Sequence, residues 1–159
     1  MYLRRLHVER LKRVRGLTLD FTEPNGSPRM WTVLIGQNGT AKTTLLQAIA
    51  LAAAGPLQVN ALAKPVVSHL RDRRSAEGMY VEADYGFGAY GAGCLDLHPC
   101  YPEAAWREGS WLRSTITLDA GQTTIRGESA YMVGEEPLGH SGKDDPLDDA
   151  RNRTPLPFL

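Results

Sequence analysis

Hydrophobic and polar positions alternate at the start of the chain, merge into an apolar run before residue 36, and alternate again after residue 78. Residues 2–8, "YLRRLHV", and residues 17–21, "LTLDF", read as strands, the second with Leu17, Leu19 and Phe21 on one face. "EPNGSP", Glu23 to Pro28, carries the Pro and Asn-Gly chemistry of a turn. "MWTVLIG" then runs almost unbroken in apolar residues to Gly36, the pattern of a strand buried on both faces at the centre of a sheet. A Gly-rich loop leads into "KTTLLQAIALAAAG", where Leu45, Leu46, Ile49 and Leu51 lie among good helix formers and Gly55-Pro56 is expected to stop the helix.

Residues 57–76 fit either a short helix or a connector. "GMYVEADYG" alternates, with Met79, Val81, Ala83 and Tyr85 on one face and Tyr80, Glu82 and Asp84 on the other. "WLRSTITLDAGQTTIRGES" predicts a hairpin that turns at Ala120-Gly121-Gln122. The Gly- and Pro-rich stretch between these two reads as a surface insertion. From Glu135 onward breakers dominate, and residues 135–159 are expected to be loop or disordered, with no closing element. The expectation is a mixed α/β (α+β) lobe over residues 1–134, of which 76–134 form an antiparallel arm.

The loop at the strand–helix junction changes the picture from fold to chemistry. Gly36-Gln37-Asn38-Gly39-Thr40-Ala41-Lys42-Thr43 follows the phosphate-loop pattern G-x-x-x-x-G-K-[ST], except that Ala41 stands where the second glycine belongs. The pattern has a physical basis. Glycines permit a turn that aims several backbone N–H groups inward, beside a helix N-terminus whose dipole favours an anion. Lys42 is placed to reach β/γ-phosphates, the Thr43 hydroxyl to ligate the Mg²⁺ that bridges them, and Thr44 to add a hydroxyl toward the α-phosphate. Ala41 is expected in right-handed helical conformation, where a methyl group causes no backbone strain. Two other glycine patterns lack this setting. "GFGAYG" (Gly86 to Gly91) has no helix after it, and "GHSGKD" (Gly139 to Asp144) has neither a strand before it nor a helix after it.

Composition adds less. The chain has 159 residues, 42% of them hydrophobic and 23% charged, with a formal net charge of zero, as in an ordinary globular domain. The charge is uneven: Arg4, Arg5, Arg10, Lys12, Arg13 and Arg15 crowd the N-terminus, while Glu135, Glu136, Asp144, Asp145, Asp148 and Asp149 crowd the other end. Two solvated faces, or a basic face for nucleic acid, both fit this asymmetry. No apolar run reaches the roughly 18 residues of a membrane helix, and charges interrupt the N-terminus, so neither a membrane nor a secretory signal is expected. Two cysteines make no disulfide framework, which leaves the cytoplasm as the expected compartment. Cys94, His98 and Cys100 lie close in sequence, but the spacing is unusual for zinc and a fourth ligand is missing; two free thiols in a loop is the expectation.

The stretch "LRRLHVERLKRVRGLTLDF…WTVLIGQNGTAKTTLLQAIALA" resembles the start of the ABC-type ATPases of the RecF, SMC and OLD-like group, ATP-binding proteins of DNA repair and phage defence. The close match covers about residues 3–54. The resemblance implies a partial P-loop NTPase head of the ABC type, with a mixed sheet beside antiparallel strands, that binds ATP and Mg²⁺. It implies ATP held between two heads, a homodimer in the full protein, and DNA or a defence or repair protein as a further partner. By position it places Lys12 on the nucleotide and Asn38 at the group's loop asparagine. Hydrolysis in this group needs an apolar strand ending in Asp-Glu, an LSGGQ-like signature and a switch histidine, and none is present here. "TITLDAG" lacks both the apolar run and the glutamate, and Gln122 at a hairpin tip is unsuited to the group's metal-contacting glutamine. The resemblance therefore implies the N-terminal lobe of a longer ATPase, with no catalytic residue of its own. Two alternatives remain: a self-contained small P-loop kinase or GTPase, which needs further parallel strand–helix units, and a non-catalytic interaction module with a decayed loop.

Overall fold

The computed structural model describes residues 1–29, 31–87, 109–139 and 145–148. Strands β1 (Tyr2–Leu11), β2 (Val14–Asp20), β3 (Met79–Gly86), β4 (Ser110–Leu118), β5 (Arg126–Val133) and β6 (Glu136–Leu138) form one six-stranded sheet in the order β2-β1-β3-β4-β5-β6. Every pairing is antiparallel. Helix α1 (Lys42–Ala63) packs across one face of this sheet.

Alternation explains the two faces. Leu6 and Val8 of β1, Met79, Val81 and Ala83 of β3, and Leu112, Ile116 and Leu118 of β4 are buried in the core that α1 covers. The other face carries charge: Asp84 accepts from Arg5 Nε at 2.9 Å and from Arg113 Nε at 3.0 Å, and it lies opposite both in the register. The predicted faces of β3 are those observed. The hairpin also turns where expected, with Gln122 N–H donating to Asp119 O at 3.2 Å.

Helix α1 has the length and apolar content of a membrane span. It is built into the protein as a core helix, burying Leu45, Ala48, Leu51, Ala52 and Val59. Two polar contacts fix its seat. Ser114 Oγ on β4 donates to Ala52 O at 2.8 Å, and the Asn60 side-chain amide exchanges two bonds with the backbone of Ile125, at 2.9 and 2.8 Å.

Three expectations are corrected. First, the helix does not stop at Gly55-Pro56 but breaks there and resumes. Gly55 adopts φ 73°, ψ 168°, a region open essentially to glycine alone. Asp148 then accepts from Leu57 N–H at 3.4 Å, near the start of the second helical segment. Second, the stretch from Glu135 is not loop throughout. It supplies β6 and a tucked segment in which Leu147 is buried, Leu147 N–H donates to Ser129 Oγ at 2.7 Å, and Tyr131 Oη donates to Pro146 O at 3.2 Å. Third, residues 31–36 form no ladder with any strand, and the described sheet has no parallel pair. Trp31, Val33 and Ile35 are 87%, 75% and 92% exposed, while Leu34 packs partly against the core. The segment has the composition of a central strand and one face in place, but among the described residues no neighbouring strand pairs with it.

Candidate functional site

The loop between residue 36 and α1 is shaped by two left-handed residues. Gly39 has φ 86° and Ala41 has φ 66°, ψ 12°, with Thr40 between them outside the positive-φ region. Such alternation turns successive N–H groups to one side and makes an anion-binding concavity. The expectation for Ala41 is thus overturned: it is left-handed, the conformation that explains why the pattern asks for glycine. Its methyl group costs about 1 kcal/mol there. The Ala41→Gly substitution is expected to raise stability by roughly that amount, less the extra chain entropy that glycine loses on folding. Thermal or urea denaturation of the two proteins measures it, and a clear loss of stability would contradict the loop conformation.

Side chains brace the concavity. Thr40 Oγ1 donates to Gln37 O at 2.7 Å. Lys42 Nζ reaches back across the loop to Gly36 O at 2.6 Å and Gln37 O at 2.8 Å. An ammonium group has three donors, so one remains for a ligand. Ala41 gives α1 no side-chain cap, while Leu45 N–H makes the helical bond to Ala41 O at 3.0 Å. The first N–H groups of the helix are therefore not capped by the residue before it, and they form an electropositive helix end.

Lys12 comes to the same place from the other end of the lobe. It sits in the β1–β2 turn at φ 53°, with its N–H on Leu70 O at 2.6 Å. Its Nζ donates to Gln47 Oε1 on α1 at 2.6 Å, which holds the ammonium beside the helix. A cavity of about 350 Å³ is lined by Lys12, Arg13, Asn38, Gly39, Ala41, Lys42, Thr43 and Thr44. Gly36, Gln37 and Thr40 do not line it and act instead as its frame. No sequence signal singles out Arg13, because nothing in a run of basic residues separates it from its neighbours. The left-handed turn at Lys12 is what brings it to the cavity rim.

The cavity suits a polyphosphate: backbone donors at its base, two ammonium groups at its sides, and no carboxylate in the lining. The Thr43 hydroxyl is a suitable Mg²⁺ ligand, but the remaining oxygen ligands are not in this lining. Among the described residues no group of three or more His, Cys, Asp or Glu could hold a metal. Cys94, His98 and Cys100 lie outside the described residues, as do most of "GFGAYG" and "GHSGKD".

The structure also aligns with a solved chain from work on ATP-driven dimerization and DNA-stimulated activation of SMC ATPases. The TM-score is 0.54 at 16% identity, over 96% of this chain and 79% of that one. The fold is that of an SMC-type ATPase head. In sequence, the chain is 35% identical over 54 residues to the Septu protein PtuA of Bacillus mycoides (strain KBAB4). That match takes in 34% of this chain and 8% of PtuA, so it spans only a small part of that protein's length. No family model matches the chain. The expected recognition as an ABC-type ATPase lobe agrees with this fold. The parallel part of the expected mixed sheet is absent from the described residues.

Proposed function

We propose that the chain is the ATP-binding lobe of an ABC-type ATPase. The observation that carries this reading is the loop itself: an alternating left-handed backbone, Lys42 strapped across its mouth, and an uncapped helix start beneath. In this reading Gly36, Gln37 and Thr40 hold the loop's shape. Asn38, Gly39, Ala41, Lys42 and Thr44 contact phosphates, Lys12 contacts the nucleotide from the side, and Thr43 ligates Mg²⁺. The exposed apolar segment at residues 31–36 supports a lobe that is completed by further chain, and the PtuA match over only 8% of that protein supports a longer parent. Such a parent would pair two heads around ATP, hydrolyse it with residues this chain lacks, and serve phage defence or DNA repair in the cytoplasm, with DNA or a defence protein as partner.

The antiparallel strands β3–β6 that follow α1 favour this lobe over a self-contained kinase or GTPase, which requires more parallel strand–helix units. A decayed loop is favoured only by the strain at Ala41, and the intact Lys42 bracing counts against it. Titrating the chain with MgATP and following phosphate release tests the reading. Binding with negligible turnover is the expected result. Turnover at an ordinary enzymatic rate would overturn the lobe reading, and no binding at millimolar MgATP would favour decay.

A further inference from the structure

Both ammonium groups at the nucleotide cavity are held by neutral oxygens. Lys42 Nζ donates to the backbone carbonyls of Gly36 and Gln37, and Lys12 Nζ donates to Gln47 Oε1 at 2.6 Å. The phosphate-loop pattern ends at Thr43 and makes no demand at Gln47. Gln47 lies one helical turn beyond Thr43 and on the same face of α1. It is half-buried and stands outside the cavity lining, whereas Lys12 and Thr43 are part of that lining. A lysine ammonium only donates, so the Gln47 amide must turn its oxygen toward Lys12.

Lys12 is thereby fixed at both ends. Its N–H donates to Leu70 O at 2.6 Å and its φ is 53°, which sets the backbone. The stem between is long, and long stems lose the most rotamer freedom when they are ordered. The ammonium also shares the cavity with Lys42, Arg13 and an electropositive helix end, and like charge drives an untethered cation out into water. The bond to Gln47 opposes both tendencies. An amide oxygen brings no counter-charge, so Lys12 keeps its full charge and its other donors. A carboxylate at the same place would hold the ammonium more firmly, and would cancel the charge that an anion is to meet.

We infer that Gln47 is a positioning residue for the nucleotide site: it holds the Lys12 ammonium ready for phosphate without neutralising it. Binding is stronger when a contacting group is ordered beforehand, because the ligand does not then bear the ordering cost. The inference deepens the ATPase reading and rests on it, since it concerns how the proposed site is prepared for a polyphosphate.

Calorimetric titration of the chain with MgATP, paired with thermal melts, provides the test. Gln47→Ala should weaken MgATP roughly three- to tenfold, the cost of ordering one long side chain. Gln47→Leu, which keeps the bulk and removes the acceptor, should weaken it equally. Lys12→Ala should weaken it more, and Lys12→Ala/Gln47→Ala no further than Lys12→Ala alone, because the two residues act through one contact. Gln47→Glu should leave the melting midpoint unchanged or raise it, through a charge-assisted bond to Lys12, and still weaken MgATP at least as much as Gln47→Ala. A residue that only supports the helix would move affinity and stability together. Wild-type affinity in Gln47→Leu, additive losses in the double variant, or tighter MgATP binding by Gln47→Glu would each overturn the inference while the lobe reading stood. An unsubstituted chain that binds no MgATP would overturn the lobe reading, and this inference with it.

Discussion

Lys42→Ala is expected to weaken MgATP binding by roughly 30- to 150-fold, the equivalent of about 2–3 kcal/mol for a charge-assisted phosphate contact. Two effects add. The free donor on Nζ is lost as a phosphate ligand, and so are the bonds from Nζ to Gly36 O and Gln37 O that close the loop. Lys42→Arg should recover little, because a planar guanidinium cannot bridge two carbonyls and a phosphate from the position of a single nitrogen. Isothermal titration calorimetry of the chain with MgATP measures the effect. Thermal melts should differ only slightly, since the loop is exposed and the core does not depend on it. Wild-type affinity in Lys42→Ala would mean that the concavity is not the phosphate site.

The loop and helix start of this site were legible because their chemistry is local. Gly36, Gly39, Lys42 and Thr43 all lie within one octapeptide, in which Gly39 makes the turn and Lys42 opens the helix. The faces of β3 were legible for the same reason, since alternation is a property of neighbours. What stayed hidden depends on distant chain. Ala41 is left-handed although alanine itself disfavours that state. Helix α1 resumes after Gly55-Pro56 with Asp148, 91 residues beyond Leu57, at the new helix start. Lys12 and Arg13 gain their position from backbone bonds to residues 70–72, which no run of basic residues announces.

The apolar run at 31–36 is a different case, because there the pattern and the environment disagree. The pattern predicts a strand buried on both sides, and the structure leaves one side bare, with Ile35 92% exposed. This gives an unusual expectation for mutation. A lysine at the centre of a buried strand ordinarily unfolds a domain, since an unpaired buried charge costs several kcal/mol. Val33→Lys/Ile35→Lys in this chain should instead change stability by no more than about 0.5 kcal/mol, the range of surface substitutions, and should reduce self-association. Ile116→Lys, at 0% exposure on β4, is the internal comparison and should prevent folding. Urea denaturation and light scattering read both outcomes. When the chain is expressed as part of the longer protein that the lobe reading calls for, the same two substitutions would fall on a strand covered on both sides. There they should abolish assembly and ATP turnover together. Unfolding of the isolated chain by the double substitution would show that the segment is already part of a closed core, and the lobe reading would fall with it.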